Sequence, residues 1–173
     1  IGSDNPAGGR LATLHLARMG RKRIAFLGAT EAPEALQRYQ GYLDGLAAAG
    51  LAADRQLIFP SQFELEAAEA ATDTLLGRRV QFDAIVAASD IIALGAIHSL
   101  ARAGLRVPQD VSVVGYDDIQ FARLSRPELT TVRQDTRVAG RLLVAKLLDS
   151  DSTSALRSER VPTELVVRAS CGA

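Results

Sequence analysis

One cation, one aromatic ring, one hydroxyl and three carboxylates in this sequence could work as a set: Arg38, Phe63, Ser89, and the acids Asp90, Asp117 and Asp118. A guanidinium donates in a planar fork, carboxylates accept from neighbouring hydroxyls, and an aromatic ring packs against C–H bonds. Together these groups suit a polyol such as a sugar, with Arg38, Phe63, Asp90 and Asp117 as its centre. Plainer roles are open to each. Asp90 directly precedes a helical pattern and could cap it. Asp117 and Asp118 could form a solvated turn pair, and Arg38 could pair with Glu34 one turn earlier on a surface helix. Phe63 could belong to a small satellite core.

Covalent chemistry is poorly served. The only histidines, His15 and His98, fall within helical patterns away from the strand ends, so no nucleophile has a base beside it, and both are expected to be structural or surface residues. Gly28 stands alone in "FLGATEA", which is neither a dinucleotide fingerprint nor a phosphate loop. The acids at 90, 117 and 118 resemble a metal-binding receiver cluster, but Lys146, the one late lysine, sits inside a helical pattern. We therefore expect no catalytic residue, no metal and no cofactor.

The elements that would position these residues alternate between strand and helix. Short apolar runs, "RIAFLG", "LIFP", "DAIVAA", "VSVVGY" and "LTTVRQ", read as strands, and amphipathic stretches separate them. Asn5 and Pro6 predict a helix start that runs to a stop at Gly20. The stretch "DIIALGAIHSLARAG" is apolar nearly all round, which predicts that the sheet covers one side and a second subunit the other. "TRVAGRLLVAKLLD" is a further helix after Asp135, followed by a polar linker over 150–159 and an extended tail. This pattern implies an α/β fold with a doubly wound parallel sheet. In such sheets ligands bind beyond the C-terminal ends of the strands, which is where Arg38, Phe63, Ser89, Asp90 and Asp117 fall.

Lys+Arg and Asp+Glu balance at 20 each, and hydrophobic residues make up 47% of the 173. That is a soluble, one-core composition without bulk attraction for nucleic acid. Cys171 is the only cysteine, which excludes an intrachain disulfide and fits a reducing compartment. No apolar run approaches the ~18 residues of a membrane span, and "IGSDNPAGGR" does not read as a signal peptide.

Longer stretches carry a resemblance. "DNPAGGRLATLHLARMGRKRIAFLG", "RYQGY", "ASDIIALGAIHSLARAGLRVPQDVSVVGYDDIQFARLSRPELTTVRQD" and "LVVRAS" look like the lactose/galactose-repressor (LacI/GalR) family of bacterial transcription regulators. The resemblance implies a periplasmic-binding-protein-like domain over 1–173, truncated at its N-terminus, with no DNA-binding helix-turn-helix in this chain. About 21–131 plus 158–173 would form the C-terminal subdomain, and about 1–20 and 132–157 would be pieces of the N-terminal one. It also implies a cytoplasmic homodimer that binds a small-molecule effector, such as a sugar, and controls operator DNA through a head absent here. Its effector contacts fall on Arg38, Phe63, Ser89 or Asp90, and Asp117, while Asp118 would shape the turn. Ser89 stands where other members carry Asn, a difference that would bear on selectivity. A periplasmic sugar-binding protein of a transport system shares the fold and is the competing expectation.

Overall fold

The computed structural model describes residues 1–28, 31–148 and 158–172. Its main sheet contains β2 (Ile24–Leu27), β3 (Ile58–Phe59), β4 (Ala84–Ala87), β5 (Ser112–Asp117), β6 (Thr130–Gln134) and β8 (Thr163–Val166), in the order β3-β2-β4-β5-β6-β8. All neighbours run parallel except β8, which pairs antiparallel with β6. A separate parallel pair joins β1 (Gly2–Ser3) to β7 (Arg160–Val161). Every residue of β2 and β4 is buried, which is why both read as unbroken apolar runs. The strand order reverses between β2 and β4, so the crevice of the doubly wound fold opens at Gly28 and Ala88, where those strands end.

Helices α1 (Asn5–Arg18) and α2 (Pro33–Ala48) pack together on one side of the sheet, and α3 (Leu65–Gly77) and α4 (Asp90–Arg102) pack together on the other. One further side of α4 packs against α3 of the same chain, while Ile91 and Leu94 stay only partly buried. Gly95 lies against Ala68 and the Leu65 carbonyl, and Arg102 reaches Glu69 and Asp73. A short helix, α5 (Gln120–Leu124), was not expected, because five residues are too few to show a period.

The expected division of the chain also changes. Residues 1–20 do not stand apart from 21–131: Ala12 and Leu16 of α1 are buried in the same core as the sheet. The cause is the closeness of α1 to α2. A Cβ on Gly9 would overlap the Arg38 carbonyl, and one on Gly41 would overlap the Pro6 carbonyl. Residues 132–134 likewise belong to the main sheet as the end of β6. Helix α6 (Thr136–Leu148) does stand off this core. It buries no residue and leaves Leu143, Val144, Leu147 and Leu148 exposed. Residues 149–157, which hold most of the expected polar linker, lie outside the described residues.

One buried side chain ties the strand ends together. Asp90 is fully buried; its Oδ1 accepts from the Thr131 hydroxyl at 2.5 Å and its Oδ2 from the Ile119 N–H at 2.8 Å. It thereby joins α4, β6 and the turn after β5. The predicted helix cap falls instead to Ser89, whose Oγ accepts from the Ile92 N–H at 3.3 Å. Burial drives the Asp90 pKa up to about 7; the two hydrogen bonds oppose this, and Asp117 and Asp118 add to it.

Gly41→Ala should cost at least about 2 kcal/mol in a urea titration, whereas Gly77→Ala, with nothing near its Cβ, should be neutral or slightly stabilising. Equal stability of Gly41→Ala and wild type would refute the close helix contact. Asp90 holds its proton more tightly folded than unfolded, so its contribution to stability falls as pH rises from about 4 to about 7 and is flat above that. The loss should be on the order of 2–4 kcal/mol. Asp90→Asn, which can still accept from Ile119 and can donate to Thr131, should remove that slope between denaturant titrations at low and neutral pH. An unchanged slope would show that Asp90 does not titrate in this range.

Candidate ligand-binding site

Arg38 projects from α2 toward the sheet and is only 5% exposed. Its Nε donates to Asn5 Oδ1 at 2.9 Å and its Nη1 to the Ala88 carbonyl at 2.5 Å, at the end of β4. Nη1 also lies 3.4 Å from Asp117 Oδ1, and the guanidinium carbon sits 3.8 Å over the Tyr116 ring. The surface pairing with Glu34 is therefore not the one formed. A buried guanidinium needs oxygens and negative charge around it, and here two acceptors, one carboxylate and one ring face supply them. Among the described residues, Nη2 of Arg38 has no hydrogen-bond partner, so the outer edge of the fork remains able to donate.

The two acids after Tyr116 separate into different roles. Asp117 closes β5, and its Oδ1 accepts from Gln134 Nε2 at 2.5 Å, one strand over. Burial raises its pKa, while Arg38 and Gln134 pull it back. Asp118 is gripped instead by Arg133 Nε at 2.7 Å and Arg168 Nη2 at 2.5 Å. Burial acts to raise its pKa as well, but the bonds from Arg168 and Arg133 outweigh it and the net shift is downward. Both acids have left-handed backbones, with φ of 112° and 55°, a sparsely populated region that costs about 1–3 kcal/mol per residue. The ion pairs at Asp118 hold that turn and leave Asp117 facing Arg38.

Of the other sequence-predicted residues, Ser89 is buried as the α4 cap and Asp90 is fully engaged by protein donors. Phe63 lies on the β3–α3 loop and is 41% exposed. His15 Nε2 contacts Cys171 Sγ at 3.2 Å and His98 pairs with Glu69, both away from the strand ends. Among the described residues, no cluster of His, Cys, Asp or Glu could hold a metal.

The sequence places Tyr116 at the strand-end rim without its stacking on Arg38, and gives Asn5 and Gln134 no part in the site. Asn5 read as a helix cap, but Asp4 caps α1 by accepting from the Ala7 N–H at 3.3 Å, and Asn5 is the first helical residue. Gln134 could have been found, since it ends the strand adjacent to the one that ends in Asp117. Asn5 and Gln134, which bond to Arg38 and Asp117, line a cavity of about 540 Å³ together with Gln37 and Arg160; Arg38 and Asp117 themselves do not line it.

Known proteins resemble this chain in both sequence and fold. Residues 13–171 match the family described as periplasmic binding protein-like domain. The regulator CelR of Thermobifida fusca is 39% identical over 170 residues, covering 96% of this chain and 50% of that protein. The regulator MalR of Streptomyces coelicolor is 38% identical, covering 98% and 51%. The solved CelR–cellobiose complex, at 38% identity, superposes with a TM-score of 0.88 over 97% of this chain and 52% of that one. The Lac repressor dimer, solved with operator and the anti-inducer ONPF, is 29% identical with a TM-score of 0.91 over 99% and 52%. This chain spans about half the length of the relatives it matches. Through the same domain, and through relatives named as regulators rather than enzymes, the chain belongs to the periplasmic-binding-protein-like LacI/GalR family of transcription regulators.

Proposed function

We propose that the chain is the effector-sensing and dimerising part of a cytoplasmic, DNA-binding regulator, and that its effector is a sugar held by Arg38 and Asp117. The observation that carries this reading is the convergence, at the strand-order reversal, of a buried guanidinium with a spare edge and a carboxylate one residue past Tyr116. Vicinal hydroxyls fit that pair: the fork donates and the carboxylate accepts. Phe63, exposed on its loop, would cover a C–H face of the sugar. Ser89 and Asp90 act from beneath, Ser89 by starting α4 and Asp90 by fixing the turn that presents Asp117.

The effector would regulate by favouring one arrangement of this lobe relative to the rest of the protein, and that arrangement would set the spacing of two DNA-binding heads. A tenfold change in operator affinity needs about 1.4 kcal/mol of preference between the two states. Operator DNA, the dimer and the cytoplasmic setting are read from the family. They are supported by relatives named as transcription regulators and repressors. The same relatives favour the regulator over a periplasmic transport protein.

Calorimetry of the full chain with cellobiose and with ribose, followed by sedimentation, tests the reading. For whichever sugar binds, Arg38→Ala and Asp117→Ala should each weaken binding by about tenfold or more, since hydrogen bonds to charged groups are worth about 1.5–3 kcal/mol. The dimer should persist in both. Undiminished binding by both variants would remove the site assignment.

A further inference from the structure

We propose that Asn5 is a positioning residue of the effector site: it sets the guanidinium of Arg38 and ties it to the segment that enters this lobe. The inference rests on the reading of Arg38 as an effector contact. Arginine Nε only donates, so the atom of Asn5 that lies 2.9 Å from it must be Oδ1, and Nδ2 must point the other way. There Nδ2 donates to Gln37 Oε1 at 3.1 Å. The Asn5 amide is thus fixed at both ends, and its orientation is decided by chemistry alone.

Asn5 is not needed as a helix cap, because Asp4 does that work. Its position is set twice. The glycine contacts of α1 and α2 bring the first turn of α1 against the turn of α2 that carries Arg38. The residues before it are held by β7: the Gly2 N–H donates to the Glu159 carbonyl and the Asp4 N–H to the Val161 carbonyl. Asn5 is 5% exposed, as Arg38 is, and the bond between them is buried. With Nε held by Asn5 and Nη1 by Ala88, the fork has one orientation left, with its Nη2 edge outward. Gln134 treats Asp117 in the same way from the end of β6. Both effector groups are therefore aligned by residues that border the β1–β7 pair or α6, the parts that stand off the main core.

The test uses the full chain labelled with ¹⁵N-arginine and follows hydrogen exchange of the Arg38 Nε–H, identified by its loss in Arg38→Lys. Asn5→Ala should speed that exchange by about tenfold or more while the remaining fold is kept, and Asn5→Asp, which preserves the acceptor, should restore slow exchange. Asn5→Gln, with both polar groups on a longer stem, is a second variant that should also speed it. For cellobiose or ribose, whichever binds, Asn5→Ala should weaken affinity about tenfold and Asn5→Asp should recover it. A merely structural role would lower the melting temperature without selecting the Arg38 signal. Unchanged Arg38 Nε–H exchange in both Asn5→Ala and Asn5→Gln overturns the proposal, whether or not either sugar binds. Full sugar binding by Arg38→Ala, together with the expected exchange change in Asn5→Ala, overturns the effector reading and leaves the positioning role standing.

Discussion

The site is organised around the burial of one guanidinium. Arg38 is nearly inaccessible, and an unpaired charge there would cost several kcal/mol. Its surroundings answer that cost with acceptors drawn from three elements: Asn5 of α1, the Ala88 carbonyl after β4, and Asp117 at the end of β5. No single stretch of chain could gather these groups. The sheet must place the ends of β4 and β5 side by side, and α1 must come close to α2.

That close approach depends on small residues. Gly9 and Gly41 let each helix meet a backbone carbonyl of the other, at the level where Arg38 leaves α2. The same contact draws α1 into the core of the sheet, which explains why residues 1–20 do not form a unit of their own. Helix α6 has no such device; it carries an apolar face but leaves it open to solvent in this chain.

The rim of the sheet shows a division of labour among its acids. Asp90 is committed to Thr131 and Ile119, and Asp118 to Arg133 and Arg168, so both hold backbone in place. Asp117 is the acid that faces the guanidinium, and it can do so because the other two pin a turn with an unfavourable backbone.

Much of this was legible in the sequence. Continuous apolar runs mark the buried strands, alternation with helices implies the parallel sheet, and the strand-end rule selects Arg38 and Asp117. These are local signals, carried by residue type and period. What only the tertiary structure decided was which polar residues meet. Asn5 and Arg38 lie 33 residues apart, and Asp117 and Gln134 lie 17 apart, so their bonds leave no period to read. The capping roles of Asp4 and Ser89, one residue from the expected Asn5 and Asp90, were settled by backbone geometry at each helix start. Burial of Asp90 was settled by the packing of α4 against β4 and β5 and by the Thr131 bond from β6, which a run of sequence cannot express.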